Sequence, residues 1–189
     1  MSDLPPHLLT APAHPVPAVI ALGSNLGDSQ QILADAVAAF DSHEHIRVTA
    51  VSPLAQTAPV GGVEQPDFLN QVLLIDTTLA PWALLQFGHA LEQAAARVRD
   101  IRWGPRTLDV DVIAYDDVVS DHPDLILPHP RAHERAFVLT PWSWADPNAV
   151  LAGTPVAALA AAADDAATVI QFEPGPPRAP GRDSGGHNV

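Results

Sequence analysis

Residues 107 to 114 read Thr-Leu-Asp-Val-Asp-Val-Ile-Ala, a β-branched and apolar run broken only by two aspartates. That composition suggests a buried strand. Side chains alternate faces along a strand, so Asp109 and Asp111 point the same way. Their Cα atoms would lie roughly 6.6 Å apart. At that spacing two carboxylates can converge on one or two divalent cations, or carry one proton between them.

The fold follows by working outward from this strand. Val16 to Leu22 is an apolar run ending in Gly23-Ser24-Asn25-Leu26-Gly27-Asp28, after which Ile32, Leu33, Ala36, Val37 and Phe40 fall at helical spacing. The turn lacks the lysine and spacing of a P-loop and has no G-x-G-x-x-G. It reads as a backbone-shaping turn, with Asp28 or Ser29 capping the helix. Residues 45 to 57 read as a second strand, 58 to 68 as a loop with two prolines and two glycines, and Leu69 to Thr77 as a third strand. Pro81 suits the first position of a helix running to about Arg97, with Leu84, Leu85, Leu91 and Ala95 on its apolar side. The aspartate strand closes the order β-α-β-β-α-β. This is an α+β, ferredoxin-like pattern: an antiparallel sheet with both helices on one face. Beyond it, Val118-Val119 and Leu125 to Leu127 suggest a hairpin, 131 to 144 and 156 to 163 helices, and 168 to 172 a closing strand. Proline-rich residues 1–16 and 173–189 read as disordered tails around a single domain at 17–172.

Arg97, Arg99, Arg102 and Arg106 supply four of nine basic residues just ahead of the aspartates, Arg131 and Arg135 follow, and there is no lysine. Arginine holds phosphate oxygens with a planar fork, so this grouping suggests a metal and a polyphosphate held together. The competing reading is a surface ion-pair network. Against a net charge of −13 and a pI near 4.8, the cluster forms a local field that attracts a small anion. The same acidity argues against nucleic-acid binding. The absence of cysteine excludes disulfides and thiolate metal sites. No basic leader or membrane-spanning run is visible, so a soluble, cytoplasmic protein is expected; a monomer is expected as well.

Four stretches, taken together, resemble the 6-hydroxymethyl-7,8-dihydropterin pyrophosphokinases of folate biosynthesis: Ala-Leu-Gly-Ser-Asn-Leu-Gly-Asp at 21–28, Gln-Pro-Asp-Phe-Leu-Asn at 65–70, Arg-Trp-Gly-Pro-Arg-Thr-Leu-Asp-Val-Asp at 102–111, and Leu-Pro-His-Pro-Arg-Ala-His-Glu-Arg-Ala-Phe-Val-Leu at 127–139. The resemblance covers about 18 to 150. It implies transfer of the β,γ-pyrophosphoryl unit of ATP to the pterin hydroxymethyl group, leaving AMP.

The resemblance also implies a site. Asp109 and Asp111 would hold two Mg²⁺ ions, and Arg97 and Arg106 would stabilise transition-state charge. Thr57, Pro59, Val60, Phe68, Asn70, Trp103 and Phe137 would bind the pterin, with Trp103 carried on a closing loop. Phe68 and Phe137 would stack on the ring, and Asn70 would read its edge. His89, Glu92, Arg99, Arg102, Val112, His129 and Arg135 would bind ATP. Asp124 and Pro130 depart from residues seen in some members. Two other functions use parts of the same pattern. A metal-dependent phosphohydrolase would need no stacking pair, and an RNA- or ligand-binding module on this fold would need a basic face.

Overall fold

Alternation along the first strand decides the layering. In β1 (Val16–Ser24), Ala18, Ile20 and Leu22 are buried toward one face and Ala21 toward the other, so the sheet is covered on both sides. The protein is described here from a computed structural model covering residues 4–59, 65–97 and 107–174. After β1 come α2 (Ser29–Asp41), β2 (Ile46–Val51), β3 (Ala55–Thr57), β4 (Phe68–Thr77), α3 (Pro81–Arg97) and β5 (Asp109–Tyr115). A short α1 (Pro6–Leu9) precedes them. β1 lies antiparallel between β4 and β5, and both β2 and β3 pair with β4. This is the expected ferredoxin-like sheet. Its second strand is split, because Pro53 lacks the amide that a continuous ladder needs.

The turn after β1 shapes the backbone as expected. Gly27 takes φ of +72°, a conformation that favours glycine, and the Asp28 carboxylate accepts the Gln31 amide at 3.1 Å to cap α2. Leu33, Ala36 and Phe40 of α2 and Leu84 and Leu85 of α3 then cover Ile20, Leu22, Val110 and Val112. Helix α3 sits close on β5. A Cβ on Gly88 would lie 2.8 Å from Val110 Cγ1, so the missing side chain sets that approach.

The opposite face is closed by the chain beyond β5. There α4 (Ala136–Ala145) and α5 (Val156–Ala162) pack Val138, Leu139, Trp142, Val156 and Ala160 over Ala21, Val72 and Ile113. The two helices of the β-α-β-β-α-β core share one face as expected, and this added layer makes the sheet a central one. The expected helix at 131–144 begins with a 3₁₀ turn at Ala132–Glu134 before α4. Two hairpins, β6 (Ser120–His122) with β7 (Leu125–Leu127) and β8 (Val150–Leu151) with β9 (Thr154–Pro155), sit outside the main sheet. The closing strand β10 (Ile170–Gln171) pairs with β3.

The N-terminal stretch expected to be disordered is ordered over its described part. Pro5 and Pro6 fix the φ values that start a helix, and α1 then packs against α3 with Leu8 fully buried. Burying Leu8 contributes about 2 kcal/mol toward holding the segment, and Leu4 packs against the same core. Residues 175–189 of the expected C-terminal tail lie outside the described residues.

A bulge in β5 turns the end of that strand over. Val19 pairs with Ala114 and Ile20 with Val112, so Ile113 is the extra residue. Tyr115 thereby returns to the α2/α3 side, where its hydroxyl donates to the Leu79 carbonyl at 2.6 Å. Burial, reinforced by Asp116, pushes this phenol from 10.0 up to about 12. The folded value lies above the unfolded one, so this contribution to stability is complete below pH 10 and is lost as pH rises toward 12. With one tyrosine and no lysine or cysteine, Tyr115 is the one side chain that ordinarily titrates in that window. Thermal melts are expected to fall between pH 10 and 12 in the parent and to stay flatter in Tyr115→Phe. An equally steep fall in the variant would contradict the assignment.

Candidate active site

Strand register gathers the polar residues. Asn70, Gly23 and Asp109 are consecutive partners across β4, β1 and β5, and Val72, Ala21 and Asp111 form the next row. The middle strand contributes only small residues, so a floor lies between Asn70 on one side and the two carboxylates on the other. A Cβ at Gly23 would come within 3.1 Å of Asn70 Oδ1. The start of α4 forms the opposing wall with Arg135, Phe137 and Val138. The cavity between them holds about 380 Å³, the size of a small-molecule site.

Its walls differ in chemistry. Asn70 is buried and donates from Nδ2 to Thr57 Oγ1 at 3.2 Å. Phe68 lines the cavity from the sheet and Phe137 from the helix, each half-buried rather than sealed in the core. The Arg135 guanidinium lies 5.5 Å over the Phe137 ring centroid, a cation–π contact. Asp109 and Asp111 face the same space and are partly exposed. Among the described residues, no three His, Cys, Asp or Glu side chains converge as a ready-made metal cage. Two carboxylates with room beside them suit Mg²⁺, which takes one or two carboxylates and completes its octahedron with water and substrate phosphates.

A second cavity of about 390 Å³ lies between β5 and α3, lined by His89, Glu92, Leu108 and Val110. Asp111 lines it as well as the first. Glu92 Oε1 accepts the Val110 amide at 2.8 Å and so ties α3 to the strand. Near this junction the His129 amide donates to Ile113 O at 2.8 Å, and its Nδ1 accepts from the Arg131 amide at 3.3 Å. The neutral ring therefore carries its proton on Nε2. Burial lowers the His129 pKa from its ordinary value. Asp111 opposes that shift, and Arg135 and Arg131 reinforce it.

Of the residues singled out from sequence, Thr57, Phe68, Asn70, Asp109, Asp111, Arg135 and Phe137 share the first cavity, and His89 and Glu92 share the second with Asp111. Val112 turns its side chain into the core under α2 and α3. Pro59 is half-buried beside Ala58, which lines the first cavity. Val60, Arg99, Arg102, Trp103 and Arg106 lie outside the described residues, as does the side chain of Arg97 at the end of α3. Sequence reasoning missed Gly23 and Ala21 as the floor, since only strand pairing shows what they separate. It also missed Asp165 and Thr168, which line the cavity from beyond α5.

A model of the 7,8-dihydro-6-hydroxymethylpterin-pyrophosphokinase family matches residues 19–147, from within β1 to just past α4. The chain belongs to this family. Among similar members, the 2-amino-4-hydroxy-6-hydroxymethyldihydropteridine pyrophosphokinase of Bacillus subtilis (strain 168) is 44% identical over 124 residues, covering 66% of this chain and 74% of that protein. The one from Methylorubrum extorquens is 43% identical over 139 residues, covering 74% of this chain and 88% of its own. The crystal structure of wild-type Plasmodium falciparum HPPK-DHPS superposes with a TM-score of 0.63 at 13% identity, over 82% of this chain and 46% of that longer one. At that identity the likeness concerns the fold. The family model's match stops at residue 147, so Asp165 and Thr168 lie beyond that model.

Proposed function

We infer that the protein transfers the pyrophosphoryl group of ATP to 6-hydroxymethyl-7,8-dihydropterin, giving AMP and the pterin pyrophosphate of folate biosynthesis. One observation carries the site assignment. Asp111 stands on the wall shared by two cavities, one with a ring-recognising lining and one between β5 and α3. A carboxylate at that junction reaches both partners of a group transfer.

In the first cavity Phe68 and Phe137 cover the faces of the pterin, and the Asn70 amide reads its edge. In the second, His89 and Glu92 flank the nucleotide. Val112 would meet it through its backbone, because its side chain is in the core. Asp109 and Asp111 would hold two Mg²⁺ ions, which when bound neutralise phosphate charge and lower the pKa of the attacking hydroxyl. The hydroxymethyl oxygen bonds to the β-phosphorus, the bond to the AMP oxygen breaks, and the hydroxyl proton passes to solvent. Arg135 and the Nε2–H of His129 approach the phosphates as donors. We assign Arg97 and Arg106 to transition-state charge, Arg99 and Arg102 to the nucleotide, and Pro59, Val60 and Trp103 to the pterin. The enzyme is proposed to act as a cytoplasmic monomer without nucleic acid. No helix among the described residues is long and apolar enough to cross a membrane.

The test is to mix the protein with ATP, Mg²⁺ and hydroxymethyldihydropterin and follow nucleotides by chromatography. AMP that forms only with pterin present is expected. ADP or free phosphate released without pterin would support the phosphohydrolase instead.

A further inference from the structure

We propose that Asp165, outside the stretch that the family model matches, is a positioning residue that fixes the pterin-facing end of α4; the pterin arm rests on the function inferred above. The first amides of a helix have no partner within it. At the start of α4, Arg135 has extended backbone and its side chain makes no capping hydrogen bond. The Ala136 amide instead donates to Asp165 Oδ1, 29 residues further along, at 2.9 Å. A carboxylate there also meets the positive end of the helix dipole.

The first turn needs this support. Pro141 lies inside α4 and has no amide to donate to the Phe137 carbonyl, so the turn that carries Phe137 lacks one of its ordinary bonds. The Arg135 backbone is held separately, since its amide donates to Ala132 O at 3.2 Å. Loss of the Asp165 contact would therefore loosen Phe137 more than Arg135.

Asp165 is itself fixed. The Thr168 amide and hydroxyl both donate to the Asp165 carbonyl, at 3.0 and 2.7 Å. Two residues later β10 pairs with β3, the strand that carries Thr57. The segment from Asp165 to Gln171 thus ties the helix wall of the pterin slot to its sheet wall. It sets the gap between Phe137 and the residues opposite.

The experiment compares Asp165→Ala, Asp165→Asn and, as a control, Asp164→Ala at the exposed neighbour. Asparagine keeps the acceptor oxygen and loses the charge. In Asp165→Ala the pterin dissociation constant, read by fluorescence titration, is expected to rise about tenfold, with KM for ATP and kcat at saturating pterin changed less than about threefold. Asp165→Asn is expected to restore pterin affinity to within about threefold of the parent, and Asp164→Ala to match the parent. Hydrogen exchange without ligand should be at least about tenfold faster at Ala136 to Val138 in Asp165→Ala alone. Should Asp165→Ala fail to fold, Asp165→Ser takes its place, its oxygen standing one bond closer to the backbone than the carboxylate oxygen that accepts the Ala136 amide. Unchanged exchange, or faster exchange with unchanged pterin affinity, would overturn the proposal. Asparagine as weak as alanine would also overturn it, in favour of a direct charge contact with the pterin. If the parent binds no pterin, the functional reading fails, while the exchange data still decide whether Asp165 anchors α4.

Discussion

Asp111→Asn is expected to lower pterin-dependent AMP formation by about a thousandfold, the loss that follows from several kcal/mol of metal-linked charge stabilisation. The substitution keeps the size and shape of the side chain and removes one negative charge. Asp111 is partly exposed and faces a cavity, so the core is not disturbed. It also stands two residues from a second carboxylate on the same strand face. Without metal the two repel, and removing one charge should leave the melting temperature unchanged or slightly higher. The predicted signature is therefore a stable protein without turnover. Asp121→Asn, at an exposed position in β6, should have parental activity. Turnover above a tenth of the parent in Asp111→Asn, measured in saturating Mg²⁺ and ATP, would remove Asp111 from the metal site.

The same carboxylate shows why part of this site was legible in sequence. Two aspartates at i and i+2 in a β-branched run share a face whatever surrounds them, because strand periodicity is local. Helices at 29–41 and 81–97 are visible for a similar reason, in apolar spacing that follows a cap at Asp28 and a proline at Pro81. What stayed hidden depends on distant pairing. Nothing in Gly23 announces that it separates Asn70 from Asp109; that follows from register across three strands. The bulge at Ile113 cannot be read from an apolar run in which every residue suits either face. Leu8 lies in a proline-rich stretch whose composition suggests disorder, yet the stretch is ordered where α1 packs against α3 and this leucine is buried. Asp165 follows the alanine-rich helix α5 and belongs to no motif that the sequence singles out. Its partner at Ala136 is brought to it by tertiary packing alone.

Phe137→Ala is expected to weaken pterin binding about thirtyfold, corresponding to about 2 kcal/mol for one aromatic face. Phe68→Ala should do the same from the other wall. The two variants should part company on ATP. Phe137 lies under the Arg135 guanidinium and Phe68 does not, so only Phe137→Ala removes the platform that orients this arginine toward the phosphates. A rise of about threefold in KM for ATP is expected for Phe137→Ala, matching a cation–π contact of 0.5–1 kcal/mol, and none for Phe68→Ala. Adding Arg135→Ala to each tests this directly: its effect on ATP should shrink in the Phe137→Ala background and stay full in the Phe68→Ala background. Phe137→Leu keeps apolar area but loses the π face, and should fall between parent and alanine for the pterin. If Phe137→Ala folds and binds pterin as tightly as the parent, the ring is a packing residue of the α4 layer, and the slot must take its aromatic wall from elsewhere in the chain.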